Sequence, residues 1–424
     1  MLLLLCVVLA VVLIVMSNYI YNELCPGKIF VLFWTFQILF LLVGGYGFLL
    51  FNYKGILFIL ICLFFFNIGP LSMYIGKKTL GEYERDGYIC YDEKKIITIV
   101  FFCTVLGFIK SINILISHGF NLSSLLDFSS LLKINNSLAV SRYSGTLTDG
   151  NQMIQLLAVF SYGAPLVGGF AYLCCNSLRH KIVCILSFTP LLFGGLTQGV
   201  KMGIIASFLL FITGYINSSI LLGKTVVLKG RTIICGSLAI SLLIGILLIS
   251  MMFRIGKFDL QTFSVVRGKF IAYAFGHLPA FDMWYEQQSF LPNNLTYGGK
   301  LFMGISNFLG VLKREAGLYQ DFQKIALDGS ATNVYSVFRI FVDDFGIIMC
   351  PMVFLLLGIF VQYSYIKLKK LIDFKVYSVI CASFLFFTFW SFVTTVFAYT
   401  TFIVLFLLYY FVLKICIKKV VQNE

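Results

Sequence analysis

The constraint that governs this chain is a recurrence: apolar runs of about twenty residues, long enough to cross a hydrocarbon core of about 30 Å as an α-helix, follow one another along it. They fall near residues 1–20, 29–51, 55–76, 96–117, 152–173, 181–198, 202–221, 232–252, 346–366, 376–394 and 397–416. Composition agrees, with 60% hydrophobic and 12% charged residues, where a soluble chain carries about a quarter charged. A water-soluble core cannot hide that much apolar surface. The fold predicted is an all-α polytopic membrane protein of about eleven transmembrane helices, read as a single multi-pass domain over 1–424. No fixed-period repeat, low-complexity tract or proline-rich linker divides it. Residues 1–20 are followed by no polar cleavage region and are read as a span rather than a signal peptide.

The formal net charge is +14, but the 32 Lys and Arg are scattered over short connections. Positive-inside topology accounts for that pattern better than nucleic-acid binding does. Connections after the odd-numbered spans, with the C-terminal tail, hold eighteen Lys and Arg. The opposite set holds only Lys54, Lys133, Arg142 and Lys201 outside its longest member. Short basic loops stay in the cytoplasm. The expected topology therefore has a cytoplasmic C-terminus, an outer N-terminus and two outer loops, 118–151 and the large 254–345. Within 254–345, apolar stretches (270–275, 301–312) alternate with turns such as Pro292-Asn293-Asn294 and Leu327-Asp328-Gly329-Ser330. That is the pattern of short amphipathic or re-entrant helices lying against a bundle.

The residues able to do chemistry collect at the two ends of that loop. Arg254, Lys257, Arg267 and Lys269 follow an apolar span directly, at membrane-surface depth. Guanidinium and ammonium groups there suit a lipid-linked phosphate, Arg by paired hydrogen bonds and Lys as a point charge; the alternative is anchoring by snorkelling side chains. His277 and Asp282 follow, a candidate general base and its carboxylate neighbour, or a structural turn. At the far end, Thr332-Asn333-Val334-Tyr335 leads to Arg339, Asp343 and Asp344. Arg339 and Asp343 are four apart and share a helix face, as an ion pair or as a functional pair. Lys201, in a tight turn between two spans, adds an outer positive charge.

Other patterns are missing. There is no Walker loop, GxSxG, HExxH or Rossmann glycine pattern. Glu82-Tyr83-Glu84-Arg85-Asp86 sits in a charge-balanced cytoplasmic connection and reads as a solvated loop rather than a metal motif. The twelve cysteines lie mostly in apolar runs (Cys62, Cys103, Cys235, Cys381), with no CxxC and no Cys/His cluster along the sequence. They read as small core or lipid-facing residues rather than metal ligands.

With its many spans, two outer loops, Gly276-His277-Leu278-Pro279-Ala280-Phe281-Asp282, and Thr332-Asn333-Val334-Tyr335 running into Asp344-Phe345-Gly346, the chain resembles the bacterial Wzy family of O-antigen or oligosaccharide repeat-unit polymerases. Where such proteins often carry Arg in a turn before a middle span, this chain has Gly199-Val200-Lys201, which keeps the charge and loses the bidentate fork. The resemblance implies a glycosyltransferase of the bacterial cytoplasmic (inner) membrane, acting in lipopolysaccharide or capsule-type polysaccharide biosynthesis. Its substrates would be undecaprenyl-diphosphate-linked oligosaccharides on the outer face, with no cofactor and no metal. Partners implied are membrane lipids, a chain-length regulator and a repeat-unit flippase. On this reading Arg254, Arg339, His277 and Asp282 are catalytic candidates, and Arg267, Lys257, Lys201, Asn333, Tyr335, Asp343 and Asp344 bind substrate. The competing readings are an O-antigen ligase, which uses the same donor, and a flippase or other transporter, which would place its charges inside spans.

Overall fold

The computed structural model describes residues 1–21, 23–45, 49–73, 85–121, 123–124, 127–143, 152–198, 201–224, 230–255, 259–288, 294–313, 319–327 and 329–420. In chain order the elements are α1 (Leu2–Ile20), α2 (Pro26–Gly44), α3 (Lys54–Leu71), β1 (Tyr88–Tyr91), α4 (Glu93–Ser117), α5 (Phe128–Tyr143), α6 (Gln152–Cys174), α7 (Leu178–Leu186), α8 (Thr189–Gln198) and α9 (Lys201–Leu221). Then come α10 (Gly230–Ile255), α11 (Leu260–Phe275), α12 (His277–Glu286), α13 (Met303–Phe308), β2 (Gln323–Lys324), β3 (Ala331–Thr332), α14 (Ser336–Lys369), α15 (Phe374–Trp390), α16 (Thr400–Cys416) and β4 (Ile417–Val420).

The protein is a helical membrane protein. Among the described residues, eight helical stretches are long and apolar enough to cross a bilayer, and Ser241–Met252, Phe374–Trp390 and Thr400–Cys416 are shorter apolar helices. One apolar run is broken: 181–198 divides into α7 and α8, with the turn at Ser187 and Phe188, two residues before Pro190. The loop 118–151 contains α5, and 254–345 contains α11, α12, α13 and the β2–β3 pair, in which Gln323 faces Thr332.

Contacts divide the chain into two compact units, residues 1–87 with 271–403, and residues 88–270 with 404–423. In the first, α3 and α14 cross closely on small residues. A Cβ on Gly358 would overlap the Phe66 carbonyl, and one on Gly69 would overlap that of Leu355. Lipid offers no hydrophobic drive between helices, so such close packing is what holds them. Phe30 then sits 4.9 Å from Phe66 and 5.5 Å from Phe384, centroid to centroid, tying α2, α3 and α15 together.

The long helix α14 is interrupted at Gly346, whose φ of 74° and ψ of 168° are not helical. The remaining stretch, 347–369, is roughly 34 Å long at about 1.5 Å per residue, enough to span by itself. The preceding segment, residues 336–345 and nearly three turns long at about 3.6 residues per turn, therefore carries Arg339, Asp343 and Asp344 at the head of the span.

In the second unit the same device joins α6 and α9, where Gly169 meets the backbone of Phe211 and Gly214 that of Leu166. The Tyr409 hydroxyl donates to Asn217 Oδ1 at 2.9 Å, linking α16 to α9. Strands β1 and β4 pair antiparallel, with Cys90 opposite Lys418.

Candidate functional site

The first unit gathers its chemistry around Arg339. The guanidinium carbon lies 3.7 Å from the centroid of the Tyr319 ring, 4.1 Å from that of Tyr335 and 4.7 Å from that of Trp284. Tyr319 and Tyr335 meet edge to face at 5.5 Å. A cation on ring faces is attracted by the aromatic quadrupole, more strongly as water is excluded. Arg339 Nη1 donates to Asp321 Oδ2 at 2.8 Å, and the Tyr335 hydroxyl donates to the same oxygen at 3.0 Å. The Arg339 side chain is 11% exposed and that of Asp321 is 52% exposed, so the pair runs from a buried cation to an open carboxylate. Arg339 Nε has no hydrogen-bond partner among the described residues.

The electrostatics follow from that gradient. Burial pushes the Asp321 carboxyl upward, but the Arg339 and Tyr335 hydrogen bonds and the Arg339 charge outweigh it, leaving the group below its ordinary value and ionised at neutral pH. The Tyr335 hydroxyl is pushed up to about 12 by burial and by the Asp321 carboxylate, so it stays a donor. Burial and the Asp343 charge raise Tyr319 as well.

Tyr319 also connects a second carboxylate. Its hydroxyl donates to Asp343 Oδ2 at 2.8 Å, and Lys300 Nζ approaches the same oxygen at 2.8 Å. The neighbouring Asp344 is spent on structure: its carboxylate accepts the Thr296 hydroxyl and the backbone N–H groups of Lys300 at 3.0 Å and Leu301 at 2.7 Å. It thereby pins the turn in which Tyr297 and Gly298 take positive φ. Asn333 Nδ2 donates to the Tyr319 carbonyl at 3.0 Å and holds that ring's segment against the head of α14. Arg339 and Asp343 do share a short helix, but each finds its partner in the preceding loop, Asp321 and Lys300, rather than in the other.

His277 and Asp282 stand on α12, both buried. His277 Nε2 is 2.9 Å from Gln37 Oε1, and the ring lies edge-on to Trp34 and Phe392 at 5.8 Å. Burial lowers its pKa to about 3, so it is neutral at physiological pH. Asp282 caps the start of α3: Oδ2 accepts the N–H groups of Asn52 at 2.6 Å and Tyr53 at 2.8 Å, and Oδ1 those of Gly55 at 2.6 Å and Ile56 at 3.3 Å. Burial raises this carboxyl and the four N–H groups draw it part of the way back. A carboxylate with both oxygens committed to backbone has no lone pair facing an acceptor hydroxyl.

In the second unit Lys201 opens α9 and is half-buried. Arg254 lies in the last turn of α10 and Arg267 in α11, without described side chains, and Lys257 is outside the described residues, as are Glu82 and Glu84. The structure thus joins Asn333, Tyr335, Arg339 and Asp343 in one cluster and keeps His277, Asp282 and Asp344 for scaffolding. Sequence reasoning missed Asp321, Tyr319, Trp284 and Lys300. Their spacing from Arg339 follows no helical or strand period, so no linear signal marks them. Compared with known proteins, the chain matches no family model, no curated protein and no solved structure.

Proposed function

We propose that this chain is a membrane glycosyltransferase that polymerises undecaprenyl-diphosphate-linked oligosaccharide repeat units on the outer face of the bacterial cytoplasmic membrane. On this reading the eight long and three shorter apolar helices make eleven spans, and the basic connections keep the C-terminus in the cytoplasm. One observation carries the proposal: the half-exposed Asp321 carboxylate is seated on buried Arg339, whose guanidinium is held among the rings of Trp284, Tyr319 and Tyr335. Aromatic faces with fixed polar groups at their rim suit the apolar faces and hydroxyls of sugar rings.

The chemistry needs little more. Asp321 accepts the proton of the acceptor hydroxyl, whose oxygen attacks the anomeric carbon of the donor. The bond from that carbon to the diphosphate breaks, and lipid diphosphate leaves with the electron pair. Arg339 and Lys300, each beside a carboxylate of the cluster, can take up developing negative charge. Diphosphate is a good leaving group, so nothing in the step calls for a nucleotide sugar or ATP.

The test is the surface-glycan ladder on gels from cells carrying Asp321→Asn or Arg339→Ala at matched protein levels. Loss of a general base typically costs about 10²–10⁴-fold in rate, so both variants should collapse the ladder to a single repeat unit. Unchanged ladders, or loss of the single repeat as well, would overturn the proposal.

A further inference from the structure

A second cluster of chemistry lies in the other unit, where three segments meet. Glu93 is the first residue of α4, Cys175 stands on the turn between α6 and α7, and His180 is in the first turn of α7. The His180 Nδ1 atom is 2.6 Å from Glu93 Oε1. One carboxylate oxygen, the thiol sulfur and one imidazole nitrogen all lie within 4.8 Å of one another. We propose that Glu93, Cys175 and His180 bind a divalent transition-metal ion of borderline softness, zinc foremost, using none of the residues of the Arg339 cluster.

The donor set fits that class. Zinc takes thiolate sulfur at about 2.3 Å and imidazole nitrogen or carboxylate oxygen at about 2.0–2.2 Å, tetrahedrally. Ligand atoms on such an ion are then about 3.3–3.7 Å apart. The nitrogen and oxygen must therefore separate by under about 1 Å to admit the ion in place of the shared proton. Hard cations such as magnesium or calcium prefer an all-oxygen shell, which a thiol and an imidazole deny them.

Three protein ligands leave the fourth tetrahedral position on the ion to water. A plain Glu–His ion pair accounts for two of these residues, and the buried Cys175 thiol adds a soft third donor beside them. The carboxylate and imidazole side chains are 25% and 35% exposed, so an ion has a way in, while Cys175 is buried behind them.

The experiment uses the full chain in detergent, purified on a tag without histidine, stripped with chelator and titrated with cobalt(II). Expected are one cobalt per chain, the intense visible bands of tetrahedral cobalt, a near-ultraviolet thiolate-to-cobalt charge-transfer band, and displacement of all of these by zinc. Cys175→Ser should abolish the charge-transfer band, His180→Ala should weaken affinity at least about tenfold, and Cys90→Ser, at an exposed cysteine on β1, should change nothing. Binding without a thiolate band in the unaltered protein, or a band of equal intensity in Cys175→Ser, overturns the proposal. So does a cobalt affinity unchanged in both Glu93→Gln and His180→Ala.

Discussion

Replacing Asp282 by asparagine separates a capping role from a catalytic one. The side chain keeps its size, but only one oxygen remains to accept, and an amide NH₂ replaces the other. Of the two donor pairs, Asn52 with Tyr53 on one oxygen and Gly55 with Ile56 on the other, one must then face another donor. Hydrogen bonds to a charged group contribute about 1.5–3 kcal/mol each, and the favourable placement of an anion at a helix N-terminus about 0.3–1 kcal/mol. Relief of a buried charge returns part of this. A net loss of about 2–4 kcal/mol is expected.

Water cannot easily fill the gap. A Cβ on Gly55 would already lie 2.7 Å from the Asp282 Cα, so α12 rides directly on the head of α3. Tyr53 is held there at φ 66°, a conformation that costs a non-glycine residue about 1–3 kcal/mol and relaxes once its N–H is released. Equilibrium unfolding in mixed micelles, followed by tryptophan fluorescence, measures the change, and Trp284 reports from the same helix. Glycan synthesis in cells should fall only as far as the folded population does. An Asp282→Asn protein within about 0.5 kcal/mol of the parent would refute the capping argument, and intact stability with a lost ladder would return Asp282 to the chemistry.

Two further outcomes are expected. His277 has a pKa near 3 in the folded protein against an ordinary value of 6.5. The unfolded chain therefore binds its proton first, and stability present above about pH 6.5 is lost as pH falls toward 3, about 2 kcal/mol of it by pH 5. His277→Asn should remove that part of the acid slope, and parallel pH–stability curves for parent and variant would refute the assignment. Separately, Cys90 is exposed on the strand that pairs with C-terminal β4, and on the proposed topology a membrane-impermeant maleimide should label it in inverted vesicles and not in intact spheroplasts. Cys90→Ser is the control, and the reverse pattern would invert the proposed topology.

Much of the architecture was legible because membrane helices are local objects. In lipid each backbone polar group must be satisfied within its own segment, so apolar length alone announces the helix. Every one of the eleven apolar runs carries helix, and even the break between α7 and α8 has its local sign in Pro190. The division into two interleaved units was not legible. It depends on which helix faces carry glycine opposite a neighbour's carbonyl, as at Gly358 and Gly214.

The site was legible by residue type and illegible by role. Sequence marked Arg339, Asp343, Asn333 and Tyr335 as a group, since ionisable residues at the head of an apolar span are rarely idle. It placed Asp282 among the same candidates, because a carboxylate spent on four backbone N–H groups and one open to solvent look alike in a string of letters. Read along the chain the cysteines form no cluster with histidine, yet Cys175 and His180 are five residues apart and meet Glu93, which lies 87 residues from His180 and is brought there only by the fold.

By itself, then, the sequence determined that this chain lives in a membrane as helices and where its charges lie along the chain. Only tertiary structure decided which charge meets which: Asp321 is 18 residues from Arg339 and Glu93 is 87 from His180. Hydrophobic periodicity is a property of neighbours along one helix. Pairing, burial and the state of a lone pair belong to groups brought together through space.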